Sequence, residues 1–294
     1  MQAMTINESF QLLNSRIQPT ENEMQAARQH YATIRTRLET EFEVSKCIAV
    51  GSFARGTSIH DFSDTDILAV FRKPVFTRGD DLISSDTALE KVRVALAERY
   101  PNSDVYKDGI AIAVSFSDGQ HVDVVPGVFD SMYRDKWPVY LIPDNAGGWM
   151  QTSPSLYDAY LTGANTKSGS KLIYVAQLMK FWRECREPRI PLSSFHIEMV
   201  LAYEEVCKVA TTYADCMLEI LRSLARRECR AMHDPYGIAG NIPAVKSASQ
   251  RERSLASVIS SRDHAANAVY ADSQGDIQEA RRQWDIVFNT KFPW

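Results

Sequence analysis

Several features that settle a protein's class early are missing from this chain. No run of apolar residues comes near the about 18 that would suggest a membrane-spanning helix, so none is expected. A basic surplus is absent too: 33 Lys and Arg face 37 Asp and Glu, a net charge of −4. Proteins that grip long nucleic acids without sequence preference normally carry an excess of Lys and Arg. A small substrate is therefore favoured over long nucleic acid, although a local basic patch could hide in the average. Cysteine is scarce and unpatterned. Cys47, Cys185, Cys207, Cys216 and Cys229 make an odd count with no C-x-x-C pair, mostly in apolar, helix-like surroundings. That argues for buried thiols in a reducing compartment and against a disulfide frame or a zinc site. The N-terminal MQAMTINESFQLLNSRIQ has no basic start followed by an apolar core, so no signal peptide is expected and the cytoplasm is the expected setting. Internal repeats and low-complexity tracts are also missing. What is present is ordinary globular composition: 294 residues, 45% hydrophobic and 24% charged, enough for one bilobal unit or two small domains.

The patterning divides the chain. From Glu21 to Phe42 there is no Pro or Gly, and Met24, Ala27, Tyr31, Ile34, Leu38 and Phe42 recur at three- and four-residue steps, which predicts one long amphipathic helix. Strand candidates follow: SKCIAVG, DILAVF, SDVYKDGIAIAVSF, QHVDVVPGVF and WPVYLIP, with Asp118-Gly119 as a hairpin turn. A helix from Ser85 to Tyr100, capped by Ser85 or Asp86, falls between them. After a loop at NAGGW the chain turns helical, through PSLYDAYLTGAN, GSKLIYVAQLMKFWREC, SSFHIEMVLAYEEVCKVA and YADCMLEILRSLARRECR to two C-terminal helices. The last of these should bury Ile277, Ala280, Trp284, Val287 and Phe288. Asp234 to Pro243 interrupts the helices as an ordered loop. The expected organisation is an α/β domain over 1–145 and an α-helical one over 146–294, with a ligand cleft between two such lobes.

The chemistry gathers in GSFARGTSIHDFSDTDILAVF, from Gly51 to Phe71. Strand side chains alternate faces, so Asp64 and Asp66 point the same way at the mouth of an apolar strand. Two carboxylates so placed repel and raise each other's pKa unless a cation lies between them. Mg²⁺ favours one or two carboxylates plus substrate phosphate oxygens. Asp123, within HVDVVPGV, is a third carboxylate in apolar surroundings, and if its strand lies beside that of Asp66 the three converge. Gly51 lets the backbone approach a phosphate closely, and Ser52 with the N–H groups of the following turn would cradle it. A bare D-x-D is more often a turn or cap; the succession of strand, Gly-Ser, turn, D-x-D, strand and later strand Asp is what gives it meaning.

These motifs resemble the polymerase-β-like nucleotidyltransferase superfamily. Within it the chain looks most similar to the bacterial CD-NTases, or SMODS-type cyclic-oligonucleotide synthases, relatives of cyclic GMP-AMP synthase and oligoadenylate synthase. The residues that carry the resemblance are GSFARGT, SDTDILAVF, HVDVVPG, KLIYVAQLMKFW, SSFHIE, Asp234-Pro235 and WDIVFNTKFPW. It implies an α+β fold: a nucleotidyltransferase core with a mixed sheet, flanking helices and a long N-terminal spine helix, joined to a C-terminal helical lobe across an active-site cleft. It further implies that Gly51 and Ser52 hold the terminal phosphates of a nucleoside triphosphate, ATP, GTP, UTP or CTP. Asp64, Asp66 and Asp123 would hold Mg²⁺, or Mn²⁺ in its place, and a ribose hydroxyl helped by Asp123 would attack the α-phosphate as pyrophosphate leaves.

In the back half the resemblance implies a Lys and a Ser on the triphosphate, assigned to Lys171 and Ser194, and an aromatic ring on the base, Phe195, for which core packing is an equal reading. Lys180 ranks below Lys171, as an exposed surface charge. From Lys167 to Arg189 six Lys/Arg face two Glu, which fits a positive patch or a solvated helix face. Arg55 suits a phosphate contact or a solvated charge. Asn165 suits a base contact or, better by residue type, a helix cap. His121, His196 and the other histidines carry no metal spacing. The resemblance implies a monomeric enzyme in bacterial antiphage (CBASS) signalling, whose product activates a separate effector protein, with a regulatory partner an open question. An RNA-tailing nucleotidyltransferase and a catalytically silent nucleotide-binding regulator remain as alternatives.

Overall fold

The computed structural model describes residues 4–61 and 64–294. The chain forms two compact units: one from Pro19 to Asp158, the other from Ala159 to Trp294 together with the N-terminal residues up to Gln18. Helices α1 (Ile6–Arg16) and α2 (Glu21–Glu41) open the chain, each behind a Thr capping box. Helix α1 was not among the expected elements, although Ile6, Phe10, Leu13 and Ile17 recur at three- and four-residue steps and all are buried. Its buried Phe10 meets Trp284, Phe288 and Phe292 edge-on, which ties it to the C-terminal helices.

The first unit continues with β1 (Val44–Val50), the five-residue α3 (Gly51–Arg55), β2 (Thr65–Phe71), the two-residue strands β3 (Thr77–Arg78) and β4 (Asp81–Leu82), and α4 (Ser85–Arg99). Ser84, one residue before the expected cap, accepts the Thr87 N–H at the start of α4. Then come β5 (Asp104–Asp108), β6 (Ala111–Ser115), β7 (His121–Tyr133), β8 (Trp137–Pro143) and β9 (Trp149–Thr152). The segment expected as one strand from Ser103 is thus a hairpin, turned at Gly109 with φ +61°. Strand β9 starts at Trp149, the last residue of the expected NAGGW loop, and carries the sheet past residue 145.

The seven-stranded sheet runs β1-β2-β7-β6-β5, with β8 on the far half of β7 and β9 beside β8. Among the described residues only β2 and β7 pair in parallel; the other pairs of this sheet are antiparallel. Alternation decides the faces. Ile67, Ala69, Phe71, Val122 and Val124 join the core formed with Ile34 and Leu38 of α2 and Leu89, Val92 and Leu96 of α4. Leu68 and Val70 point to the other face, towards Tyr140 and Ile142.

The second unit holds α5 (Pro154–Lys167) from Ala159 on, α6 (Lys171–Glu184), α7 (Ser194–Tyr203), α8 (Tyr213–Arg226), the hairpin β10 (Met232–His233) and β11 (Asn241–Ile242), α9 (Ala248–Ser273) and α10 (Ile277–Val287). As expected, α10 buries Ala280, Trp284 and Val287, with Phe288 just beyond it, whereas Ile277, at its first turn, is only half-buried. Helix α7 stops at Tyr203, short of the predicted Ala210, and Glu205 adopts φ +48°. The Asp234 carboxylate orders its loop by accepting the N–H groups of Tyr236, Ile238 and Ala239 at 2.8–3.0 Å. All five cysteines are free thiols. Among the described residues no helix is long and apolar enough to cross a membrane.

Candidate functional site

The parallel ladder sets Asp66 of β2 directly against Asp123 of β7. Neighbouring strands lie about 4.8 Å apart, so the two half-buried carboxylates stand side by side. By alternation they share the face of Leu68, Val70 and Val125, opposite the α2/α4 core. Asp64 is exposed immediately before β2; Ser63 of the same motif lies outside the described residues.

On the other flank β1 runs antiparallel to β2 and sets Val50 against Asp66. The next residue, Gly51, has φ +68°, and a Cβ there would lie 1.8 Å from Asp66 Oδ2. Only glycine permits that approach. Ser52 follows, 8% exposed, with its hydroxyl 3.4 Å from that of Ser58 and its carbonyl accepting the Thr57 N–H at 3.0 Å. The structure therefore brings together Gly51, Ser52, Asp66 and Asp123, with Asp64 at the strand mouth. Arg55 is largely buried, its guanidinium 3.5 Å from Asp158, which removes the solvated reading.

In the helical unit the expected residues separate. The Lys171 ammonium donates to the backbone carbonyls of Lys208 and Val209. Asn165 lies in α5 and accepts the Ile173 N–H at 3.1 Å through its side chain, a cap for α6. At the other end of α6 the buried Arg183 donates to the Ser194 hydroxyl and to Glu184. Burial lowers the Arg183 pKa, against the pull of Glu184. Lys180 lies one turn before Arg183, buried at 7% exposure. Residues three apart on a helix are neighbours, so Lys180, and not Lys171, belongs to the end of α6 that meets Ser194. Phe195 is half-buried, outside the core. A groove of about 500 Å³ beside them is lined by Arg183, Arg189, Ser193, Lys246, Gln250 and Arg253, among others. Arg186 is spent on the carbonyls of Trp182 and Val287, so the basic run does not form a uniformly solvated face. Sequence reasoning missed Arg183, whose one signal was its place in that run.

Residues 4–165 match the family described as the Second Messenger Oligonucleotide or Dinucleotide Synthetase domain, and the chain belongs to that family. It is 25% identical over 278 residues to a probable cyclic nucleotide synthase of Bacillus cereus, covering 84% of this chain and 82% of the relative. It is 25% identical over 171 residues to the cyclic AMP-AMP-AMP synthase of Escherichia coli, where the match spans 55% of this chain and 50% of that protein. The fold is that of E. coli CdnC, solved with ATP (TM-score 0.76, 18% identity, 98% and 99% of the two chains), and of Bradyrhizobium diazoefficiens CdnG, solved with GTP (0.71, 15%, 97% and 98%). The chain is thus a CD-NTase-type nucleotidyltransferase, an enzyme of second-messenger cyclic-nucleotide synthesis, with a polymerase-β-like core and C-terminal helices.

Proposed function

We propose that this enzyme joins nucleoside triphosphates into a cyclic di- or trinucleotide, using Mg²⁺, or Mn²⁺ in its place, held by Asp64, Asp66 and Asp123. The observation that carries this is the pairing of Asp66 with Asp123, overhung by a glycine turn that a single methyl group would block. The donor set fits the ion: carboxylate oxygens alone, on one sheet face, with phosphate oxygens left to complete the shell. When bound, the ion neutralises charge on the triphosphate and on the leaving pyrophosphate.

The chain's own residues do the rest. Ser52 and the Gly51 turn hold the terminal phosphates and fix the α-phosphate over the carboxylates. Asp123 accepts the proton of the attacking ribose hydroxyl as the new O–P bond forms and the bond to pyrophosphate breaks. In the helical unit Lys180 and Ser194, the latter oriented by Arg183, contact phosphate, and Phe195 stacks on a base; Lys171 is engaged elsewhere. The E. coli CdnC fold was also solved as a complex with a HORMA protein, which supports a regulatory partner of that kind here. The proposal extends to antiphage signalling through a product-activated effector.

Incubation with a mixture of the four ribonucleoside triphosphates and Mg²⁺, followed by mass spectrometry, tests the reading. A cyclic product that resists phosphatase is expected, lost in the Asp64→Ala/Asp66→Ala double variant. Extended linear products would favour RNA tailing, and triphosphate left intact by the wild type would mark a silent binder.

A further inference from the structure

Two helices of this chain begin with the same device. At α1 the Thr5 N–H and hydroxyl donate to Glu8 Oε2 at 2.7 and 2.9 Å, and the Glu8 N–H returns to the Thr5 hydroxyl at 3.2 Å. At α2 Thr20 and Glu23 repeat this at 2.7, 2.8 and 3.2 Å. Glu8 is exposed and does no more. Glu23 is only 21% exposed and binds a second segment: its Oε1 accepts the Asp61 N–H at 2.9 Å, and its Oε2 lies 2.9 Å from His60 Nδ1. Partial burial pushes the Glu23 pKa up, but the hydrogen bonds from Asp61, Thr20 and His60 outweigh it and hold it at about 2. A helix cap needs only what Glu8 supplies. The added bonds clamp the backbone at His60 and Asp61 onto a helix whose Ala27, Ile34 and Leu38 are buried. Asp61 sits at φ +64°, a conformation a non-glycine residue keeps only when its surroundings hold it.

Asp61 is three residues from Asp64. From Ser52 to Asp61 the chain is anchored near its start by the contacts of Thr57 and Ser58 with Ser52, and at its end by Glu23. We propose that Glu23 and His60 are positioning residues that fix Asp64 relative to Ser52 and Asp66. This rests on the role of Asp64 proposed above. Glu23, His60 and Asp61 also have potential ligand atoms within 4.8 Å of one another, and the hydrogen bonds among them account for that without an ion.

Three variants of the full chain separate the clamp from the cap. His60→Ala removes a clamp contact and leaves the α2 cap, Glu23→Ala removes both, and Glu8→Ala removes only the equivalent cap at α1. Hydrogen–deuterium exchange of peptides covering residues 57–66, without nucleotide, should rise by about tenfold in His60→Ala and Glu23→Ala. In turnover the same two should lose about tenfold in kcat and need several times more Mg²⁺ for half-maximal rate, with KM for the triphosphate within about twofold. Glu8→Ala should match the wild type in both measurements. Unchanged exchange in the two clamp variants, or an equal change in Glu8→Ala, overturns the inference. If wild-type protein shows no Mg²⁺-dependent turnover, the proposed function fails, and exchange alone still decides whether the clamp exists.

Discussion

At position 51 one distance settles the residue. An alanine would face both the left-handed φ of +68° and a Cβ 1.8 Å from Asp66 Oδ2. The first costs about 1–2 kcal/mol, and relieving the second means displacing the carboxylate. Gly51→Ala should therefore lower kcat/KM by roughly 100-fold, the scale of an ångström-sized misplacement, and a variant within threefold of wild type would refute this role for the turn. His196 makes a different prediction. It is fully buried, its Nδ1 is 3.2 Å from the Ile242 carbonyl oxygen, and its Nε2 has no hydrogen-bond partner among the described residues. Burial drives its pKa from 6.5 down to about 4, the Ile242 contact only partly opposing this. Because the unfolded chain takes up the proton at higher pH, stability is lost as pH falls from about 6.5 to about 4, by about 3 kcal/mol in total. His196→Gln keeps a donor for Ile242 and should flatten that acid slope in urea melts; parallel slopes would exclude His196 as its source.

At the scale of elements, α6 holds its two lysines apart. Lys171 and Lys180 are nine residues and so about 13.5 Å apart along its axis. Their environments predict opposite effects. Lys180→Met should raise KM for the triphosphate by about tenfold. Lys171→Met should lower the melting temperature by freeing the carbonyls of Lys208 and Val209, with KM unchanged. The reverse pattern would restore Lys171 to the phosphate. The sequence could not make this choice, because helical periodicity says which face a residue occupies and not which turn meets another helix. The Arg183–Ser194 contact shows which end of α6 meets α7. Local signals were legible where they were strong: the apolar stripe of α2, the alternation in β2, the Asp118-Gly119 turn and the buried face of α10. They failed where tertiary contacts decide. Nothing in EEVCKVA breaks a helix, yet α7 ends before it, and β9 follows two glycines that read as loop.

At the scale of the whole molecule, the proposed catalysis and the stability of the fold make opposing demands on one sheet. The motifs in the sequence named Asp64, Asp66 and Asp123, but the pairing of the last two depended on β7 crossing in parallel beside β2, a long-range contact that no local pattern encodes. That pairing places like charges on adjacent positions of one face, where they repel each other and a cation between them would relieve the repulsion. Asp123→Asn removes one charge at nearly constant shape. In metal-free buffer its melting temperature should equal or exceed that of the wild type by about 1–3 °C, since a 1 kcal/mol change shifts a domain of this size by a few degrees. Mg²⁺ with a non-hydrolysable triphosphate should reverse the order. A ligand at about 100 times its Kd stabilises the binding-competent fold by about 2.7 kcal/mol, and only the wild type should gain that fully. The comparison needs only thermal melts of two proteins under two conditions. If Asp123→Asn melts several degrees lower without metal and gains as much from Mg²⁺ and nucleotide as the wild type, Asp123 is a structural residue and the three-carboxylate site is wrong.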